Sequence, residues 1–411
     1  MKNVRLGRTE IIVTQNAFGC LPIQRDTKEV AVKLLREAYE GGMRFFDTAR
    51  AYTDSEEKVG EAFDGIRDKI YIATKTAAKT PEGFWKDLET SLKNLRTDYI
   101  DIYQLHMVPQ CYRPGDGTGM YECLEQAKEK GLIRHIGITT HKLAVAQEII
   151  ESGLYETLQY PFSYLSSEKE IALVRACVEK DMGFICMKAL AGGLVTRSDA
   201  AMAYMTQFDN LVPIWGIQRE NELREWLSYM ENTPSMTDEI TAFIKGEQDE
   251  LAGEFCRGCG YCLPCPMGIE INNCARMSLM VRRAPSASWL SEAWQEKMAK
   301  IENCINCRQC TKRCPYELDT PELLRRNLAD YKRILAVEIT VCPKRSLRTT
   351  DRTSKKGSAP SCSLFSKMMR HLLYYSNAYS VFAAAVVAFA AASVEAAAAF
   401  SAAAAASSLF F

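Results

Sequence analysis

From Arg44 onward the chain repeats one theme: a short apolar run of β-favouring residues, then a stretch whose apolar residues recur at helical spacing. The runs RFFDT, IYIAT, YIDIYQL, IRHIGIT, ETLQY, GFICM and NLVPIW read as strands. Helices are expected to follow them, near 55–65, 82–95, 119–130, 142–152, 168–181, 199–207 and 219–231. With a first strand near QNAFGCL and a helix near 27–40, the count is eight strand–helix pairs within residues 1–235. That is close to the ~250 residues typical of a closed (β/α)8 barrel. The first dozen residues read as a small hairpin beneath it. An open doubly wound sheet is the competing architecture, but its first strand–helix turns would carry a G-x-G-x-x-G phosphate loop, and none is present there. The expected fold is α/β, a TIM barrel.

Lysine plus arginine and aspartate plus glutamate both number 51, so a net charge of zero gives no overall field to draw in nucleic acid or an anionic membrane. A small-molecule substrate fits better. At 411 residues and 47% hydrophobic, the chain has room for more than the barrel. Residues 236–335 combine short helical pieces with two cysteine runs and are expected to form a second, small, mostly helical domain. Residues 336–411 read as a basic, Ser/Thr-rich linker and an alanine-rich, low-complexity tail. The tail is long enough for a bilayer, which takes roughly 20 apolar residues. Alanine is weakly hydrophobic, however, and Glu395 near its centre would cost about 2.5–3.5 kcal/mol there, so membrane contact is not expected. The opening MKNVRLGRTEIIVT has neither the apolar stretch nor the small-residue cleavage site of a secretory signal. A reducing, cytoplasmic setting is expected, and the clustering among sixteen cysteines then points to metal rather than to disulfides.

In such a barrel the chemistry lies where strands end, so the polar residues closing each apolar run are the candidates. Four stand out: Asp47 and Tyr52 in FFDTARAY, Lys75 closing IYIATK, and His106 closing IDIYQLH. Alone, each has an ordinary structural role: a helix cap, loop packing, a solvated strand end, a core histidine. Together they fall at the C-terminal ends of the second, third and fourth strands, around one mouth. A tyrosine, with a pKa ordinarily near ~10, is a poor acid unless a neighbouring ammonium lowers it. Lys75 would supply that charge and Asp47 would hold Lys75 charged. His106 would orient a substrate carbonyl by hydrogen bonding, and Tyr52 would give or take the proton as hydride moves.

The motifs FFDTARAY, IATK and ETSLKNLRTDYIDIYQLH, in that order, resemble the aldo-keto reductase superfamily over residues 1–235. The resemblance implies an oxidoreductase that prefers NADP(H), held extended without a Rossmann fold, and that acts on a small carbonyl or alcohol. GITTH resembles the segment whose polar pair binds the nicotinamide carboxamide, which implicates Thr139 and Thr140, with Gln159 of LQY as a further partner. Asparagine is common where Thr140 stands, and a hydroxyl cannot offer both an amide donor and a carbonyl. MKALAGG resembles the loop over the pyrophosphate, implicating Leu190, Gly192 and Gly193. GIQRENELREWL resembles the segment at the adenosine 2′-phosphate, implicating Arg219 near a helix start. His141, in the loop after the fifth strand, reads as a supporting residue.

Residues 304–315, CINCRQCTKRCP, match the bacterial ferredoxin pattern of three cysteines two residues apart, then a fourth after three residues followed by proline. The first run, CRGCGYCLPCP at 256–266, is one residue shorter before its last cysteine, which leaves the roles of Cys262 and Cys265 open. Zinc is the competing metal, since two C-x-x-C pairs can build an all-thiolate tetrahedral site. Triplets followed by Cys-Pro favour iron–sulfur clusters. In two-cluster ferredoxins the fourth cysteine of each run serves the other cluster. That resemblance implies two [4Fe-4S] clusters, one on Cys256, Cys259, Cys262 and Cys314, the other on Cys304, Cys307, Cys310 and Cys265. Cys20, Cys111, Cys123, Cys177, Cys186, Cys274, Cys342 and Cys362 are expected to be ordinary thiols.

The whole resembles a branch of aldo-keto reductase-like proteins with a C-terminal ferredoxin-type domain. A reductase exchanges hydride and a cluster exchanges single electrons, and no flavin signature links the two. Two functions are therefore weighed. In one, the barrel is a working reductase whose clusters exchange electrons with a partner or stabilise the C-terminal domain. In the other, the protein is an electron carrier and the barrel a docking or sensing module. The intact tetrad favours the first.

Overall fold

A computed structural model of the chain describes residues 1–251, 255–283 and 286–341. The alanine-rich stretch with Glu395, and the cysteines Cys342 and Cys362, lie outside the described residues. Among the described residues no helix is long and apolar enough to cross a membrane.

Two short strands come first, β1 (Asn3–Arg5) and β2 (Ile12–Thr14), paired antiparallel with Val4 opposite Val13. Eight parallel strands follow: β3 (Ala17–Gly19), β4 (Phe45–Asp47), β5 (Tyr71–Thr76), β6 (Ile100–Leu105), β7 (Ile133–Thr139), β8 (Thr157–Pro161), β9 (Gly183–Met187) and β10 (Leu211–Gly216). They pair in chain order and β10 returns to β3, closing the expected barrel. The helices between and after them are α1 (Lys28–Glu40), α2 (Ser55–Ala62), α3 (Pro81–Asn94), α4 (Met120–Glu129), α5 (Leu143–Ser152), α6 (Glu168–Glu179), α7 (Ser198–Met205) and α8 (Glu220–Glu231). Several begin on a local signal. Thr27 accepts the Val30 N–H, Thr80 accepts the Gly83 N–H ahead of a first-turn proline, and Ser167 and Glu170 cap each other's backbone donors.

The strands are buried on both faces, and their alternation divides the core in two. Inward residues Ala17, Phe45, Ala73, Ile102, Ile185, Val212 and Ile214 pack with Val4, Leu6, Ile11 and Val13 of the β1–β2 hairpin, which plugs the N-terminal end. Outward residues such as Phe46, Ile72, Tyr103 and Phe184 pack against the helices.

Beyond α8 the chain is helical: α9 (Asp238–Glu250), α10 (Ile271–Cys274), α11 (Met277–Arg283), α12 (Ser286–Trp289), α13 (Glu292–Ala299), α14 (Gln309–Arg313) and α15 (Thr320–Val341). Met1–Arg325 forms one compact unit, and a second begins at Arg326. Within the first unit, Arg257 pairs with Glu170 of α6 at 3.7 Å, tying the first cysteine run to the barrel's outer ring.

Candidate functional site

Along the strands the inward positions change from apolar to polar in one step. Two residues beyond Phe45 stands Asp47, beyond Ala73 Lys75, and beyond Ile102 Gln104 and then His106; Thr139 and Gln159 hold the matching positions of β7 and β8. The register sets Lys75 beside Gln104 and Thr139 beside Gln159. A polar layer therefore crosses the C-terminal end of the barrel above the apolar one. At its centre Lys75 Nζ donates to both Asp47 oxygens, at 2.8 and 2.7 Å, and to the Thr48 carbonyl at 2.6 Å. The two side chains are 1% and 2% exposed. A pair this buried persists when each charge has its counter-charge and further hydrogen bonds. Gln104 and Gln159 supply them, donating to Asp47 at 3.5 and 3.4 Å, while Gln104 also donates to Gln159 at 2.8 Å. Burial still lifts Asp47 above its ordinary value, against the pull of Lys75.

Tyr52 and His106 stand over this pair. Tyr52 is half-buried in a turn closed by its N–H on the Ala49 carbonyl. Its ring centre lies 5.3 Å from Lys75 Nζ and 5.9 Å from the His106 ring, edge-on. Burial, reinforced by Lys75, pushes the His106 imidazole down to about 3, so it is neutral at neutral pH. The sequence reading has Lys75 lowering the Tyr52 pKa. In the structure the hydroxyl is instead held well above the ordinary tyrosine value, by burial first and then by Asp47. The reason is burial: the phenol is taken out of water, where its charged form is disfavoured, and the Asp47 carboxylate that engages Lys75 through both oxygens adds to the rise.

The residues implicated in cofactor contact fall into separate places. Thr139 Oγ1 accepts the Met107 N–H at 2.7 Å, and Gln159 belongs to the layer around Asp47. Thr140 Oγ1 is committed to its own loop, donating to the Val108 carbonyl at 3.1 Å and accepting the Lys142 N–H at 3.2 Å. Leu190, Gly192 and Gly193 lie in the loop after β9, with the Gly193 N–H on the Leu190 carbonyl. Arg219 precedes α8 and is largely exposed. Its N–H and that of Gln218 are both taken by the Glu222 carboxylate, at 3.0 and 2.9 Å. A carboxylate thus holds donors that an anion at this helix start would use.

Two cavities open among the cysteines, whose described members are all free thiols. One is lined by Cys256, Cys259, Cys262 and Cys314. The other is lined by Cys262, Cys265, Cys304, Cys307 and Cys310. The last cysteine of each run therefore faces the other run's triplet, and Cys262 borders both cavities. The donor chemistry fits iron–sulfur clusters: soft thiols, with a backbone N–H from Gly258 directed at the Cys256 sulfur at 3.4 Å.

Four residues at these sites escape the sequence reading: Gln104, Lys188, Tyr261 and Arg276. Gln104 had a signal, since it shares the inward face of β6 with His106. Tyr261, from the first cysteine run, had none. Its ring meets His141 edge-on at 5.2 Å, and among the described residues neither nitrogen of the buried His141 has a hydrogen-bond partner.

Both parts of the chain have known counterparts. A profile of the aldo/keto reductase family matches residues 17–229, and one of a 4Fe-4S dicluster domain matches residues 255–319. Among curated proteins, the uncharacterized oxidoreductase YqkF of Bacillus subtilis (strain 168) is 25% identical over 264 residues, covering 59% of this chain and 83% of that protein. The NADH-specific methylglyoxal reductase of Escherichia coli (strain K12) is 25% identical over 256 residues, covering 54% and 77%. Among solved structures, the holo form of aldo-keto reductase AKR11C1 from Bacillus halodurans has a TM-score of 0.53 at 23% identity, covering 60% of this chain and 96% of that one. An aldo/keto reductase from Klebsiella pneumoniae in complex with NADP and acetate has a TM-score of 0.52 at 22% identity, covering 60% and 94%. The structures share the barrel fold. On the family match over its barrel, this chain belongs to the aldo/keto reductase family, and a 4Fe-4S dicluster domain follows the barrel.

Proposed function

We propose that the barrel interconverts a small aldehyde or ketone and the corresponding alcohol, as an oxidoreductase acting on the CH–OH group with NADP(H) as its cofactor. The observation that carries this reading is the buried Asp47–Lys75 pair beneath Tyr52 and a neutral His106. When bound, the dinucleotide would supply or accept the hydride. Tyr52 Oη gives its proton to the substrate oxygen in reduction and recovers it in oxidation. Because burial keeps the phenol protonated, the resting side chain is poised for reduction. Lys75 stabilises the phenolate that forms, and Asp47, Gln104 and Gln159 hold Lys75 in place. His106, being neutral, donates one hydrogen bond to the substrate oxygen without adding charge.

Thr139 and Gln159 are assigned to the nicotinamide end, the Leu190–Gly193 loop to the pyrophosphate and Arg219 to the 2′-phosphate. Thr140 contributes through the loop that it ties to Val108. Cys256, Cys259, Cys262 and Cys314 would hold one [4Fe-4S] cluster, and Cys265, Cys304, Cys307 and Cys310 a second. Such clusters supply single electrons, which calls for an electron-transfer partner in the cytoplasm.

The test is anaerobic NADPH oxidation against a panel of small aldehydes and ketones, comparing wild type with Tyr52→Phe and recording the visible spectrum of the same samples. Turnover that is lost in Tyr52→Phe is expected. No turnover with any carbonyl, together with cluster reduction by a low-potential donor, would make this an electron carrier with a borrowed reductase barrel.

A further inference from the structure

The loop after β9 is gripped by two arginines from the cysteine-bearing segment. Arg283 Nη1 donates to the Leu194 carbonyl at 3.0 Å, and Arg276 Nη1 to the Gly192 carbonyl at 2.8 Å. Their charges are treated differently. Arg283 is neutralised by Glu247 and Glu250, each at 2.6 Å. Among the described residues Arg276 has no carboxylate partner and its buried Nε has no acceptor. The guanidinium is wedged between two segments of chain. A Cβ at Gly192 would fall 2.5 Å from Nη1, and one at Gly258, between Cys256 and Cys259, would fall 2.9 Å from Cζ. Both glycines hold positive φ, +68° and +66°, so both segments are shaped around Arg276. Lys188, at the start of the same loop, is a second half-buried cation with no carboxylate partner among the described residues, and Cys256 and Cys259 lie within its electrostatic reach. Cations drawn partly out of water without counter-charges are costly, so a junction that holds two of them is suited to anions.

We propose that Arg276 and Lys188 serve two anions at once, the pyrophosphate of the dinucleotide and the first iron–sulfur cluster, so that nucleotide binding and the reduction potential of that cluster are coupled. The inference rests on the dinucleotide reading above. Reducing the cluster by one electron, taken from dithionite in the test, adds one negative charge beside a loop that must accept a pyrophosphate. Repulsion then weakens nucleotide binding to the reduced protein. By linkage, bound nucleotide makes the cluster harder to reduce by the same factor. Arg276 and Lys188 are positioning residues here, and both effects should fall on one cluster only.

The full chain, reconstituted anaerobically, is titrated by EPR with and without 2′-phospho-ADP-ribose, which carries the pyrophosphate but no nicotinamide to be reduced. Its binding is measured on oxidised and on dithionite-reduced protein. We expect about fivefold weaker binding to the reduced form. The matching fall in one cluster's potential is about 41 mV, since a tenfold change is about 59 mV for one electron. Arg276→Gln should weaken binding and lower that same potential without nucleotide, and Arg276→Lys should restore the potential more than the binding. Lys188→Gln reads the same two quantities should Arg276→Gln fail to fold. Equal binding to both redox forms, or a probe that moves neither potential, overturns the coupling and leaves the dinucleotide reading standing. A probe that does not bind the oxidised protein overturns both.

Discussion

The cations that this molecule draws wholly or partly out of water follow two opposite plans. Lys75 is closed on all sides: a carboxylate bonded through both oxygens, a backbone carbonyl, and two glutamines fixing that carboxylate. Arg276 and Lys188 are left open, with no carboxylate on either among the described residues and an orphaned donor on Arg276. The barrel mouth is therefore electrically complete within the chain itself. The junction with the cysteine runs is complete only when anions enter it. Removing a charge should unbalance the fold at the first site and change ligand affinity at the second, and this contrast can be attacked in several ways.

The largest effect is expected at Tyr52. Tyr52→Phe removes Oη and leaves the ring, so carbonyl turnover should fall about 10²–10⁴-fold, the usual worth of a positioned acid, with nucleotide affinity unchanged. Steady-state rates and a nucleotide titration on the same preparation check both halves. A parallel loss of nucleotide binding would mean that the ring's position, rather than its proton, carries the role. Next comes Lys75→Met, which strands Asp47 in a dry site. Breaking a buried pair in this way costs about 3–5 kcal/mol, and Asp47→Asn in the same chain should recover part of it. Arg276→Gln strands no carboxylate and should cost only about 1 kcal/mol for the lost hydrogen bond to Gly192. Similar melting losses in the two variants would erase the distinction between closed and open sites.

Much of the barrel site was legible because strands impose a period of two. Asp47, Lys75 and His106 close apolar runs, and their order along the chain places them around one mouth before any coordinates are known. Gln104 obeys the same rule, but a glutamine inside a strand reads as neutral filling. The direction of the Tyr52 shift was not legible, since it depends on how dry the site is and on how closely the Asp47 carboxylate faces the phenol. Nor was the junction. Arg276 meets Gly192 across 84 residues of chain, and the cysteine loops have no periodicity that would orient them. Spacing alone spoke there, and it gave the thiol sets but none of the cations beside them.

His106 allows the closed site to be tested by pH. Folding holds its pKa at about 3, against ~6.5 in the unfolded chain. Between those values the unfolded chain takes up a proton that the folded one refuses. The stabilisation is therefore fully present above about pH 6.5 and is lost as pH falls toward 3, by at most about 1.4 kcal/mol per pH unit. Between about pH 7 and pH 5, wild type should lose more melting temperature than His106→Asn, and the rate profile should show no imidazole limb over that range. Identical acid sensitivity in the two proteins would assign the proton uptake to another group.

The smallest effect is expected at the start of α8, where the 2′-phosphate is assigned. The Glu222 carboxylate takes the N–H groups of Gln218 and Arg219 and stands 3.9 Å from the Arg219 guanidinium. A 2′-phosphate arriving there meets a resident negative charge, whereas NADH, lacking that phosphate, does not. Glu222→Gln keeps an acceptor for the two amides and removes the charge. The KM for NADPH should then fall about two- to fivefold relative to that for NADH, which corresponds to about 0.4–1 kcal/mol, the scale of a charge at a helix N-terminus. Arg219→Gln should move the ratio the opposite way. If neither change moves it, the 2′-phosphate is not read at α8, and Arg276 and Lys188 become the chain's foremost candidates for holding the nucleotide's phosphates, which would make the open junction the place where nucleotide affinity is set.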